Sequence, residues 1–155
     1  MNIKISAEAF ENGSKIPAEY TCDGKNISPA LHWSGIPVGT NSIALIMDDP
    51  DAPMGTFVHM VIFNIPADMD ILPKGIPKDE KYPSREIRYG MNDFGRTDYR
   101  GPCPPSGTHR YYFRIYALDK MLSLGPGVKR DKVDEGMRGH ILASGELMGL
   151  YERQT

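Results

Sequence analysis

Three stretches carry side chains that could hold an anion or move a proton. DDPDAP, residues 48–53, closes an apolar run. Pro50 cannot donate to a sheet ladder, and both prolines restrict the residue before them, so Asp49 and Asp51 are predicted at a strand end with a stiff backbone. Carboxylates there either cap turn N–H groups or orient a neighbouring donor. His59 lies within FVHMVIFNI, residues 57–65. A histidine in such a strand is either a hydrogen-bonded core residue or a working imidazole whose tautomer an acid fixes. GPCPPSGTHRYYF, residues 101–113, combines Gly101, Pro102, Pro104, Pro105 and Gly107 in a rigid loop with few side chains. Backbone N–H groups of such a loop can approach an anion closely. The loop feeds a strand on which His109 and Tyr111 share a face, and imidazole and phenol both donate well to phosphate or carboxylate oxygens. The same pattern also suits a proline-rich turn before an aromatic core strand.

The elements that must position these groups are mostly strands. Residues 42–48 (SIALIMD) and 57–65 are short apolar runs suited to buried strands. Residues 109–118 alternate, with His109, Tyr111, Phe113 and Ile115 on one face and Arg110, Tyr112, Arg114 and Tyr116 on the other. Leu31 with Trp33, and Ile3 with Ile5, mark two shorter strands. Residues 66–100 carry Pro66, Pro73, Pro77 and Pro83 with Gly75, Gly90 and Gly95, which reads as one long connection of the functional or mobile kind. A helix is predicted late, with Asp131 as N-cap and Val133, Met137, Ile141, Leu147 and Tyr151 at near-helical spacing. The expected fold is mainly β: one antiparallel β-sandwich domain over residues 1–155, with short helices and a C-terminal helical segment.

Composition narrows the function. A net charge of −2, with cations scattered among acids, provides no basic field for nucleic acid. No apolar run reaches membrane-span length, and the first residues lack the apolar core of a secretory signal, so the expected location is the cytoplasm. In that reducing compartment Cys22 and Cys103 are expected to be free thiols. The histidines form no HxH or HExxH pattern and no GxSxG elbow is present, so neither a metal, a cofactor nor a serine nucleophile is called for.

DDPDAP, the strand histidine His59 and GPCPPSGTHRY, in this order, resemble the signatures of the phosphatidylethanolamine-binding proteins, also called Raf-kinase-inhibitor-like proteins. NISPALHW at 26–33, NDFG at 92–95 and HILASGEL at 140–147 are similar to the bacterial and archaeal branch. The resemblance spans nearly the whole chain. It implies two antiparallel sheets with a shallow pocket at one end. Asp49 and Asp51 would be its acids with His59 beside them, His109 and Tyr111 the other wall, and Gly101 and Pro102 the loop lip. It implies phosphate-like anions and phospholipid head groups as ligands, a kinase or serine protease as possible protein partner, and a homodimer. Together with the sharp reversal at residues 48–53, it also suggests a cis bond between Ala52 and Pro53. The leading reading is a non-enzymatic binding or regulatory module. The alternatives are a serine protease inhibitor and, further off, a phosphoester hydrolase.

Overall fold

In the computed structural model, residues 2–77 and 86–153 are described. Eight strands and one α-helix follow in the order β1 (Lys4–Ala7), β2 (Leu31–Ser34), β3 (Ser42–Asp49), β4 (Phe57–Ile65), β5 (Ile71–Leu72), β6 (Arg88–Tyr89), β7 (His109–Leu118), α1 (Arg130–Met137) and β8 (Ile141–Tyr151). A three-stranded sheet, β1-β2-β5, faces a five-stranded sheet, β6-β4-β3-β7-β8, and every strand pairing within them is antiparallel. The fold is the mainly β sandwich expected from the sequence.

Strand alternation decides what each face does. Ile43, Leu45 and Met47 of β3, with Phe113 and Ile115 of β7, enter the core between the sheets. Ala44 and Ile46 point the other way, where Val133 and Met137 of α1 cover them in a second cluster. Both faces of β3 are therefore dry, which is why it reads as an uninterrupted apolar run. The long connection of residues 66–100 is real in outline but contributes the short strands β5 and β6; residues 78–85, with Pro83, lie outside the described residues. No helix among the described residues is long and apolar enough to cross a membrane.

Four expectations are corrected. The C-terminal helix is confined to α1, and residues 141–151 are strand β8 paired along β7. Ala143, Leu147 and Tyr151 are buried four residues apart, a spacing that fits a helix turn and also twice the strand period. Gly145 shares their face, and a Cβ there would collide with the carbonyl oxygen of Ile3, so the glycine lets the N-terminal segment close over the sheet. The residue at the N-cap position of α1 is Lys129, with Asp131 inside the first turn, where a negative charge still favours the helix dipole. Among the described residues no peptide bond is cis, so the bond between Ala52 and Pro53 is trans. The reversal is made instead by a run of turns through residues 50–55, ending on Gly55 at φ 109°. Finally, Cys22 and Cys103 are joined by a disulfide, with Cα atoms 5.4 Å apart. Such pairing is found in oxidising compartments and inside hyperthermophiles, so the cysteines lend no support to a reducing one.

Candidate functional site

The pocket forms where β3, β4 and β7 end together. Asp49 is the last residue of β3 and points to the core side, following Met47. His109 opens β7 and Tyr111 follows two residues later on the same face, so both line the cavity beside Asp49. His59 arrives by a less regular route. The register steps from Met47 opposite Met60 to Asp48 opposite Val58, which leaves His59 as the extra residue of a β-bulge. Met60 and Ile62 belong to the inner core and Val58 and Val61 to the outer cluster. Strict alternation would have sent His59 outward with Val61; the bulge turns it into the pocket.

The residues around the bulge hold it in place. The Asp93 carboxylate accepts from the Val58 N–H at 2.7 Å, and the Asn92 amide donates to the His59 carbonyl at 3.2 Å and to Asp98 O at 2.9 Å. Asn92 Oδ1 accepts from the backbone N–H groups of Phe94 and Arg96, forming a turn that sets Phe94 at the cavity wall. The His59 ring meets Phe57, Phe94 and Tyr111 edge to face, with centroids 5.3–5.4 Å apart. The cavity has a volume of about 190 Å³. Ala52, Pro53, Phe57 and Phe94 form one apolar side and Cys103, Pro104 and Pro105 another, with the four polar groups at the base.

Asp49 organises that base. One oxygen accepts from His109 Nδ1 at 2.7 Å, and the other from the Asp51 backbone N–H at 2.8 Å. Burial, with the Asp49 carboxylate nearby, pushes the Tyr111 phenol well above its ordinary range, so it stays protonated. His59 Nδ1 lies 2.6 Å from the carbonyl of Arg100. Burial holds the His59 imidazole below the usual histidine range, against the raising influence of that carbonyl and of Asp49.

Of the seven site residues expected from the sequence, Asp49, His59, His109 and Tyr111 converge on the cavity and three do not line it. Asp51 turns away to Arg110, which donates from Nε, Nη2 and its backbone N–H at 2.8–2.9 Å. The Arg110 side chain lowers the Asp51 pKa to about 2. Gly101 and Pro102 lie behind the lip: the Gly101 N–H is taken by Asn26 Oδ1 at 2.8 Å, and Pro102 O accepts from the Cys22 N–H. The expected anion-facing glycine amide is thus a structural bond. A Cβ on Gly101 would strike the carbonyl oxygen of Tyr20. Gly101→Ala should therefore lower stability by about 1–3 kcal/mol, the usual penalty for overpacking, as read by urea denaturation. An unchanged midpoint would mean that the loop moves freely off the 20–26 segment. The sequence reading missed Phe57 and Phe94 as walls and Asn92 as the hub. NDFG was visible as a motif, but its role depends on the bulge it braces.

The fold and site together define a small β-sandwich protein with an Asp–His–His–Tyr pocket at the end of its central strands. The profile of the family described as "Phosphatidylethanolamine-binding protein" matches residues 6–152. A UPF0098 protein of Methanothermobacter thermautotrophicus is 51% identical over 99% of each chain, and one of Pyrococcus horikoshii is 48% identical over 99% of this chain and 78% of its own. Among solved structures, a putative phosphatidylethanolamine-binding protein homologue from Chlamydia trachomatis superimposes with a TM-score of 0.90 at 37% identity, covering 99% of both chains. Escherichia coli YbcL, described as a new member of the mammalian family, gives 0.91 at 29% identity over 99% of this chain and all of its own. The chain belongs to the phosphatidylethanolamine-binding protein family, with relatives in its bacterial and archaeal branch.

Proposed function

We propose that this protein is a non-enzymatic binding module that takes a small phosphate-like or phosphorylated ligand in the pocket of Asp49, His59, His109 and Tyr111. The observation that carries the reading is the 2.7 Å bond from His109 Nδ1 to Asp49. It fixes the ring, so that Nε2 is the nitrogen left for a ligand. When protonated, His109 offers a charged donor whose partner acid is already in place. The apolar walls supply the water exclusion that a small-ligand site uses, and a few polar groups at the base supply orientation. A binding role is also supported by Cys103: its sulfur, in the same lining as His109, is held in the disulfide and is no free nucleophile.

Inorganic phosphate titrated into the protein and followed by NMR should bind with a Kd near millimolar, about −4 kcal/mol, because Asp49 opposes the anion that the His109 imidazole attracts. His109→Ala should weaken that binding by about 1.5–3 kcal/mol, the usual loss for a charged hydrogen bond. Equal phosphate affinity in the two proteins would place the anion elsewhere.

A further inference from the structure

We propose that the pocket selects oxyanions that still carry a proton: His59 Nε2 accepts a hydrogen bond from a P–OH group. Phosphate and phosphomonoester monoanions are then bound in preference to sulfate and phosphodiesters. The inference rests on the phosphate reading of the pocket and adds the protonation state of the ligand to it.

The geometry begins at Arg100. A backbone carbonyl can only accept, so the 2.6 Å contact fixes the proton of the neutral His59 ring on Nδ1. The remaining nitrogen, Nε2, is then a lone-pair acceptor. It has no hydrogen-bond partner among the described residues, and His59 lines the cavity. The three rings packed on its edges hold the imidazole where it is, so it cannot flip to present a donor without losing the Arg100 bond.

The groups facing His59 make a bare oxyanion oxygen unwelcome there. Asp49, His109 and Tyr111 face it across the cavity, Asp93 and Arg100 lie on the bracing loop, and Asp48 on the adjoining strand. Asp49 holds the Tyr111 phenol protonated beside it, and the Arg100 guanidinium sits over the Phe94 ring, 6.0 Å from its centroid. An unprotonated oxygen at Nε2 would put lone pair against lone pair in a buried site, whereas a P–OH satisfies it. The other oxygens of the same group remain for His109. At neutral pH phosphate always retains at least one proton, a phosphomonoester retains one below its second pKa of about 6, and sulfate and phosphodiesters retain none.

Titrations of the full chain at fixed ionic strength test this with phosphate, sulfate, methyl phosphate and dimethyl phosphate. Phosphate at pH 7 should bind at least about tenfold more tightly than sulfate, equivalent to 1.4 kcal/mol. Dimethyl phosphate, a monoanion without P–OH, should bind as weakly as sulfate, which separates the proton from the charge. Methyl phosphate should tighten as pH falls from 8 to 5.5, while dimethyl phosphate should not tighten in parallel. In His59→Gln the amide can turn to donate, and the preference for phosphate over sulfate should collapse toward unity. Independently of any variant, the ¹⁵N spectrum of the wild type should show His59 Nε2 as the unprotonated nitrogen. Sulfate or dimethyl phosphate binding as tightly as phosphate, an unchanged ratio in His59→Gln, or a protonated Nε2 would overturn the proposal. No binding of any of the four would sink the phosphate reading itself, and this inference with it.

Discussion

Replacing both Cys22 and Cys103 by serine should lower unfolding free energy by about 4 kcal/mol, the loss expected when a cross-link spanning a loop of this length is removed. The bond joins positions 81 residues apart, so it restrains a large part of the unfolded chain. On the folded side the same two segments are already stitched together. Tyr99 donates its hydroxyl to Tyr20 O at 2.6 Å, Gly101 donates to Asn26, and Cys22 donates to Pro102 O. The folded state should survive the substitution with its pocket in place, because those bonds hold the lip without the sulfurs. The effect should appear as a lower urea midpoint with a steeper slope, because the unfolded chain without the cross-link exposes more surface. A shift worth less than about 1 kcal/mol would mean that the unfolded chain is restrained by other residual structure.

The sequence was most informative where a strand's chemistry is local. The expected strands 57–65 and 109–118 coincide with β4 and β7, because branched and aromatic residues between turn signals leave little choice of ends. His109 and Tyr111 follow from simple alternation along β7. His59 does not. Its inward aim comes from a register slip between β3 and β4, a property of two strands together. Asp51 was misplaced for a similar reason. Its partner Arg110 is 59 residues away, and which of two acids in DDPDAP meets an arginine and which a histidine depends on the face each strand position occupies. In β8 the buried Ala143, Leu147 and Tyr151 satisfy helix and strand periods alike, and pairing with β7 decides between them. The disulfide was lost to a general expectation about compartments, which outweighed a contact that only folding creates.

Asp48→Ala should be the second large stability loss, about 3 kcal/mol, with little change in phosphate affinity. Asp48 stands next to Asp49 in sequence but on the opposite face of β3, away from the pocket. Its buried carboxylate accepts from Arg114 Nε at 2.9 Å and Nη2 at 3.2 Å, and from Arg130 Nη1 at 2.6 Å. Arg130 is the first residue of α1, so Asp48 ties the helix to the sheet beside the cluster of Val133 and Met137. Arg114 reaches on to Glu146 of β8 at 2.8 Å, and Arg130 pairs with Asp134 one turn along the helix. Removing Asp48 leaves two guanidinium groups facing each other with their shared acid gone. Breaking one side of a buried pair typically loses about 3–5 kcal/mol. Both arginines keep about a quarter of their side chains exposed, and water reaching them places the expected loss at the low end of that range. Asp48→Asn separates charge from shape: it should lose most of the same energy, since an amide cannot neutralise two cations. Urea unfolding of both variants beside phosphate titration makes the comparison. A loss below about 1 kcal/mol would show the arginines fully served by solvent, and a loss of phosphate binding with stability intact would mean that the two faces of β3 are coupled.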